Sequence, residues 1–288
     1  MKEVGQIFLY SIDKNFVYLF PNILLIMRKE LILFLAMIFS VACASQPKRS
    51  GDSVVRVAAP EQWGYSVKAT YPHPVDSYTQ GLQYVDGKLW EGTGLEGQSR
   101  LQTIDLATGE VQVLAHLPKQ QFGEGITVLG DKVYQLTWTD RKVHVYDREG
   151  NRLRSVTRSG EGWGLTTDGE WLYLSDGSDK IFKVNPETLR NESYISVKRA
   201  GEAVDFLNEL EWIDGKIWAN IYLSDEIVVI NPATGVVEAV MDFQGLLPES
   251  ERDVNTDVLN GIAYDQEQRR ILLTGKRWSK IYHIEVVK

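Results

Sequence analysis

A single cysteine, four histidines and no apolar stretch long enough to span a membrane comfortably narrow this 288-residue chain before any motif is read. Cys43 stands alone, so no disulfide closes a fold built downstream of it. His73, His116, His144 and His283 are scattered, with no HxH or HExxH spacing, which argues against a zinc centre. There is no glycine-rich phosphate loop and no Gly-x-Ser-x-Gly elbow. The net charge is −8, and the basic clusters, Lys48-Arg49 and Lys276-Arg277 with Lys280, are too small for a phosphate track. Nucleic acid is therefore not an expected partner. Long amphipathic helices are missing as well; Leu246–Val254 suits a short one inside an insertion.

The apolar run that does exist lies early. Met27-Arg28-Lys29, then Leu31–Phe39, then small residues up to Cys43 read as a secretory signal. Nine apolar positions are too few for a comfortable span. Cys43 sits where a bacterial lipoprotein signal places its lipid-modified cysteine, although Ser40 stands where leucine is usual. Simple cleavage or an uncleaved anchor is the alternative. The expected division is a signal segment over 1–43 with Met27 as a candidate true start, a tether over 44–62, and a folded domain over 63–288. The expected location is outside the cytoplasm, in the periplasm or at the outer membrane, held by a lipid.

What the chain has is a repeated phrase. Gln80-Gly81-Leu82 with Asp86-Gly87-Lys88-Leu89-Trp90 recurs as Glu124-Gly125-Ile126 with Asp131-Lys132-Val133-Tyr134. It recurs again as Trp163-Gly164-Leu165 with Asp168-Gly169, as Asn208-Glu209-Leu210 with Asp214-Gly215, and as Asn260-Gly261-Ile262 with Gln268-Arg269. Each copy is an apolar run, a turn signal and a second apolar run, the pattern of a β-hairpin. Copies start 44, 39, 45 and 52 residues apart. Units of that length cannot bury both faces alone, and stacked around an axis they make propeller blades. Turn sequences such as Asp105-Leu106-Ala107-Thr108-Gly109 and Asn231-Pro232-Ala233-Thr234-Gly235 form a second periodic mark between outer strands. The expectation is an all-β, five-bladed β-propeller with four antiparallel strands per blade. Its ring should close by pairing of N- and C-terminal strands, Tyr65–Thr70 with the stretch near Ile281–Val286.

Superposed, the repeats align Gln80, Glu124, Trp163, Asn208 and Asn260 in one ring at the rim of the central channel. A second ring follows the next strand: Gly94, Trp138, Gly177, Tyr222 and Lys276. Together they describe a pocket with aromatic walls, amide groups, one acid and one lysine, suited to a small ligand or a peptide end. The bland readings are real. With eight tryptophans in the chain, most must be core. Gln80, Asn208 and Asn260 could satisfy strand-end backbone groups, and the Lys276 stem could cover apolar surface.

The stretches Tyr71-Pro72-His73-Pro74, Tyr78-Thr79-Gln80-Gly81-Leu82, Glu91-Gly92-Thr93-Gly94-Leu95-Glu96-Gly97, Phe122-Gly123-Glu124-Gly125, Gly162-Trp163-Gly164-Leu165, Leu207-Asn208-Glu209-Leu210-Glu211 and Asp257-Val258-Leu259-Asn260-Gly261 occur in order across about residues 65–288. In them the chain resembles the plant-type glutaminyl cyclases, five-bladed glutaminyl-peptide cyclotransferases. The resemblance implies an acyltransferase that converts the N-terminal glutamine of peptides or proteins to pyroglutamate. It places the catalytic carboxylate at Glu124 and substrate-binding residues at Gln80, Phe122, Trp138, Trp163, Asn208 and Lys276. Tyr78 stands where the plant enzymes have phenylalanine and Tyr222 where they have tryptophan, which keeps aromatic walls but adds hydroxyls. It implies catalysis with no metal and no cofactor, leaves structural calcium in the channel open, and suits a monomer.

Two rivals come from other classes. A calcium-dependent lactonase of the regucalcin type is also a propeller, and Glu124, Asn208 and Asn260 offer oxygen ligands. A non-catalytic propeller would capture peptide ends or glycans on the aromatic rim.

Overall fold

A computed structural model describes residues 58–288. The signal segment and most of the tether, Cys43 included, lie outside the described residues. Blade 1 comprises Thr79–Val85, Lys88–Thr93, Arg100–Ile104 and Val111–His116; blade 2 comprises Gly123–Leu129, Lys132–Thr137, Lys142–Asp147 and Arg152–Thr157. Blade 3 is Leu165–Thr167, Leu172–Ser175, Lys180–Val184 and Asn191–Ser196; blade 4 is Leu207–Ile213, Lys216–Ile221, Glu226–Ile230 and Val237–Asp242. Blade 5 takes Leu259–Asp265, Arg270–Gly275 and Lys280–Val287 from the C-terminal end and Gly64–Pro72 from the other. That last pairing is antiparallel, with Tyr65 opposite Val286 and Tyr71 opposite Ile281.

Turn chemistry sets the inner hairpins. Asp86 and Gly87 have φ of 52° and 76°, and Asp214 and Gly215 have 48° and 79°. Two consecutive left-handed residues match the twist of a two-residue hairpin, and Asp-Gly tolerates them. The blades are then glued pairwise. Five apolar clusters fill the five interfaces, between blades 1 and 2, 2 and 3, 3 and 4, 4 and 5, and 5 and 1. Consecutive residues of one strand serve different neighbours. Ile227 and Val229 face blade 5, whereas Val228 and Ile230 face blade 3. Both faces of the strand are buried, so it reads as an unbroken apolar run.

Three details depart from expectation. Glu61–Gln62 pairs in parallel with Val237–Asp242, so the folded part begins before residue 63 and extends the outer edge of blade 4. A small hairpin, Lys198–Arg199 with Glu202–Ala203, separates blades 3 and 4. The insertion over 246–254 holds a single 3-10 turn, Glu249–Glu251, because Pro248 and the extended Arg252 bound it.

Candidate active site

The innermost strand carries one extra residue in blades 1, 2, 4 and 5. Its register breaks between Thr79 and Gly81, Gly123 and Ile126, Leu207 and Leu210, and Leu259 and Ile262. Such a bulge re-aims a side chain out of the alternating pattern. Gln80, Glu124, Asn208 and Asn260 sit in these breaks. The following residue is glycine in blades 1, 2, 3 and 5: in the first three because backbones nearly touch at the axis, and at Gly261 because its φ is 123°. A β-carbon on Gly125 would lie 2.7 Å from the Trp163 carbonyl oxygen, and one on Gly164 would overlap that of Asn208.

Blade 4 has Glu209 at this place. Its carboxylate accepts the backbone N–H of Leu82 in blade 1 at 3.2 Å and of Ile262 in blade 5 at 2.9 Å. Two residues on, Glu211 accepts the N–H of Tyr264 at 2.9 Å and the Thr166 hydroxyl at 3.3 Å. These buried acids tie four blades together. Burial first, then the charge of Glu211, raises the Glu209 pKa well above the usual carboxylate range. Burial likewise raises Glu211 to about 8, against the opposing hydrogen bonds from Tyr264 and Thr166.

Nine side chains meet in one cavity of about 210 Å³. Tyr78 and Gln80 come from blade 1, Phe122, Glu124 and Trp138 from blade 2, and Trp163 from blade 3; Asn208 and Tyr222 come from blade 4 and Lys276 from blade 5. Seven side chains close a circuit. Trp138 meets Phe122 edge-on with centroids 5.8 Å apart, and Phe122 meets Tyr78 at 6.1 Å. The Lys276 ammonium lies 4.8 Å from the Tyr78 ring centroid and 5.3 Å from that of Tyr222. Tyr222 meets Trp163 edge-on at 5.7 Å. Glu161 completes the loop by accepting the indole N–H of Trp138 at 2.8 Å and of Trp163 at 3.2 Å. Bare glycines make room, since a β-carbon on Gly177 would lie 2.7 Å from the Trp163 indole.

Electrostatically the cavity is poised. Burial raises the Glu124 pKa well above the ordinary range; the nearby Lys276 charge opposes this and the Glu161 charge adds to it. Burial lowers the Lys276 pKa, against the pull of Glu124 and Asp257. The Asn208 Oδ1 atom is buried with no hydrogen-bond partner. Leaving a polar atom so costs roughly 1–3 kcal/mol, which a bound ligand would recover.

A wider cleft, about 1110 Å³, lies between blades 4 and 5 around Trp63 and Trp218. Its charges largely neutralise one another, as in Lys68–Glu285, Lys216–Glu238 and Arg269–Asp214, and it holds no comparable unpaired group. Among the described residues, no three His, Cys, Asp or Glu side chains group around a metal position.

The family model for glutamine cyclotransferase matches residues 34–286. The chain belongs to the glutamine cyclotransferase family. It is 38% identical over 227 residues to a glutaminyl-peptide cyclotransferase of Arabidopsis thaliana, covering 76% of this chain and 70% of the relative. Among solved structures it resembles the glutaminyl cyclase of Myxococcus xanthus at 31% identity and a TM-score of 0.72, over 79% of this chain and 98% of that one. A PQQ-bound aldose sugar dehydrogenase of Streptomyces coelicolor, 13% identical with a TM-score of 0.53 over 80% of this chain and 100% of that one, shares the fold alone. The family membership makes the chain a homologue of an acyltransferase.

Asn260, aligned with the inner ring, does not line the cavity. Its amide donates to the Thr79 carbonyl at 2.9 Å and to Gln80 Oε1 at 3.3 Å, steadying the blade 1 wall. Residues that superposing two rings does not reach are Glu161 and Asp257, the latter accepting the Tyr78 hydroxyl at 2.7 Å. Glu91 is another. Fully buried, it accepts the hydroxyls of Thr79 at 2.6 Å and Ser77 at 3.0 Å, the Gln102 amide at 2.6 Å, and pairs with His73 at 3.1 Å. It thus grips the residue between Tyr78 and Gln80.

Proposed function

We propose that the protein closes the N-terminal glutamine of a peptide onto its own α-amine, releasing ammonia and leaving pyroglutamate, with Glu124 as the proton carrier. One observation carries the reading: a single buried carboxyl group, its pKa raised by burial, faces a cavity too small for a drug-sized ligand. The volume of about 210 Å³ falls below the roughly 300–1,000 Å³ of such sites. It suits one terminal residue, with the rest of the peptide outside.

Both reacting groups belong to that residue, so the first task is to fold its side chain back on its amine. The walls of Trp138, Trp163 and Tyr222 do this and keep out water that would hydrolyse the amide. The α-amine has a pKa of roughly 7.7–8.0 and is partly neutral at working pH. It attacks the side-chain carbonyl carbon, giving a tetrahedral state with an excess proton on the incoming nitrogen. Glu124 gives its proton to the departing nitrogen and takes one from the incoming nitrogen, so the carboxyl group ends as it began. The raised pKa suits both transfers.

Negative charge gathers on the former carbonyl oxygen. The indole N–H groups of Trp138 and Trp163 are held by Glu161. Lys276, the Tyr222 hydroxyl and the amides of Gln80 and Asn208 are further donors lining the cavity. Nothing in this route asks for a metal.

The export reading rests on Met27-Arg28-Lys29, Leu31–Phe39 and Cys43. We place the protein outside the cytoplasm as a lipoprotein, and Cys43→Ser should move it from the membrane to the soluble fraction. The activity is tested by mass spectrometry of a glutamine-initiated peptide. Loss of one ammonia is expected, and a peptide of unchanged mass rejects the proposal.

A further inference from the structure

The blades share a third ring that the repeats do not advertise. In four of them the residue just past the second strand donates its backbone N–H to the residue two places before the inner ring. Gly94 donates to the Tyr78 carbonyl at 2.8 Å, Trp138 to Phe122 at 3.0 Å, Tyr222 to Phe206 at 2.9 Å and Lys276 to Val258 at 2.9 Å. Phe206 is therefore the blade 4 counterpart of Tyr78 and Phe122, which line the cavity. Yet Phe206 is 52% exposed and does not line it. Its own N–H donates to the Gly177 carbonyl at 2.8 Å, so its backbone is pinned between two rim positions. Leu223, the residue after Tyr222, is 69% exposed.

Both residues are costly where they stand. Phe206 and Leu223 each have φ of 64°, a left-handed conformation that glycine or asparagine adopts with far less strain. Each also presents a large apolar side chain to water. Neither side chain belongs to an apolar cluster of the ring interfaces. A strained backbone combined with an exposed apolar group beside a cavity motivates a binding role. The chain shows the cheaper alternative nearby, since rim position Gly177 has φ of 83° and is glycine.

The occupant follows from the cavity. Its volume accepts one terminal residue, so the second residue of a substrate must stand at the mouth. We propose that Phe206 and Leu223 form the subsite for the side chain that follows the N-terminal glutamine, and that they favour a bulky apolar residue there. This rests on the cyclase reading above. Leu223 also borders a cleft of about 560 Å³ that includes Asp257, the partner of Tyr78, so the surface continues outward from the mouth.

The test compares kcat/KM for amidated Gln-Phe, Gln-Leu and Gln-Gly. The parent should favour the first two over Gln-Gly by roughly tenfold, the scale of one apolar contact. In the double variant Phe206→Asn, Leu223→Asn that ratio should fall toward one, while Phe206→Leu retains it. Asparagine relieves the backbone, so the melting temperature of the double variant should not drop. A parent that treats the three substrates alike, or a double variant that keeps the parent's ratio, overturns the subsite while the cyclase reading stands. A parent that releases no ammonia from any of them overturns both.

Discussion

The carboxylate of Glu161 accepts the indole N–H of Trp138 at 2.8 Å, across the boundary between blades 2 and 3. The same oxygen also holds Trp163, so one charged group sets the spacing of two walls. Glu161→Gln should raise KM several-fold. Removing this negative charge should also move the Glu124 ionisation to lower pH, because the Glu161 charge is one of the causes that raise it. A pH profile of kcat/KM identical to the parent's would count against the bridge.

Glu124→Gln should fold normally, since a neutral amide replaces a carboxyl group that burial already disfavours in its charged form. Cyclisation of a glutamine-initiated peptide should fall by more than about a hundredfold, in line with loss of a general acid–base group. Activity within a few-fold of the parent would remove Glu124 from its role.

Lys276→Met keeps most of the stem between Tyr78 and Tyr222 but removes the cation. Loss of an oxyanion donor typically lowers kcat by about 10²–10³. Lys276 opposes the rise in the Glu124 pKa, so the variant should shift that ionisation to higher pH. The shift is opposite in sign to that of Glu161→Gln, and titration of both variants checks the pair together.

Stability should depend on pH through the channel acids. Folded Glu211 holds its proton up to about pH 8, whereas the ordinary value is 4.5. The folded state therefore binds more protons than the unfolded one between these values, and stability declines as pH rises through them. Glu209 shifts in the same direction. Glu211→Gln should flatten the fall in urea midpoint between pH 5 and pH 8 relative to the parent, and a parallel decline in both would refute the assignment.

Much of this was readable from residues alone, for identifiable reasons. Asp86-Gly87 and Asp214-Gly215 announce hairpins because two adjacent left-handed residues need that chemistry. Gln80, Glu124, Trp163 and Asn208 could be aligned because the repeat places each next to a tight axial approach. Glu161 was not visible, since its partners come from two blades and it is the one acid in a column otherwise made of Tyr78, Phe122, Phe206 and Val258. Glu209 and Glu211 were given no role in the sequence; their burial follows from the closed ring, which no local pattern encodes. Asn260 was placed with the pocket although its amide is bound to Thr79 and Gln80. The bulge in blade 5 resembles the others in sequence, but its side chain turns to a neighbouring strand.

Blade 5 draws Gly64–Pro72 and Lys280–Val287 from opposite ends of the described residues. During synthesis the first of these must wait, edge unpaired, until Lys280–Val287 has been added. Lys276 joins the cavity at that same late moment. A product truncated before the final strand would thus carry eight of the nine lining residues or more and still lack a closed cavity, so the ring is finished and the enzyme assembled in one event.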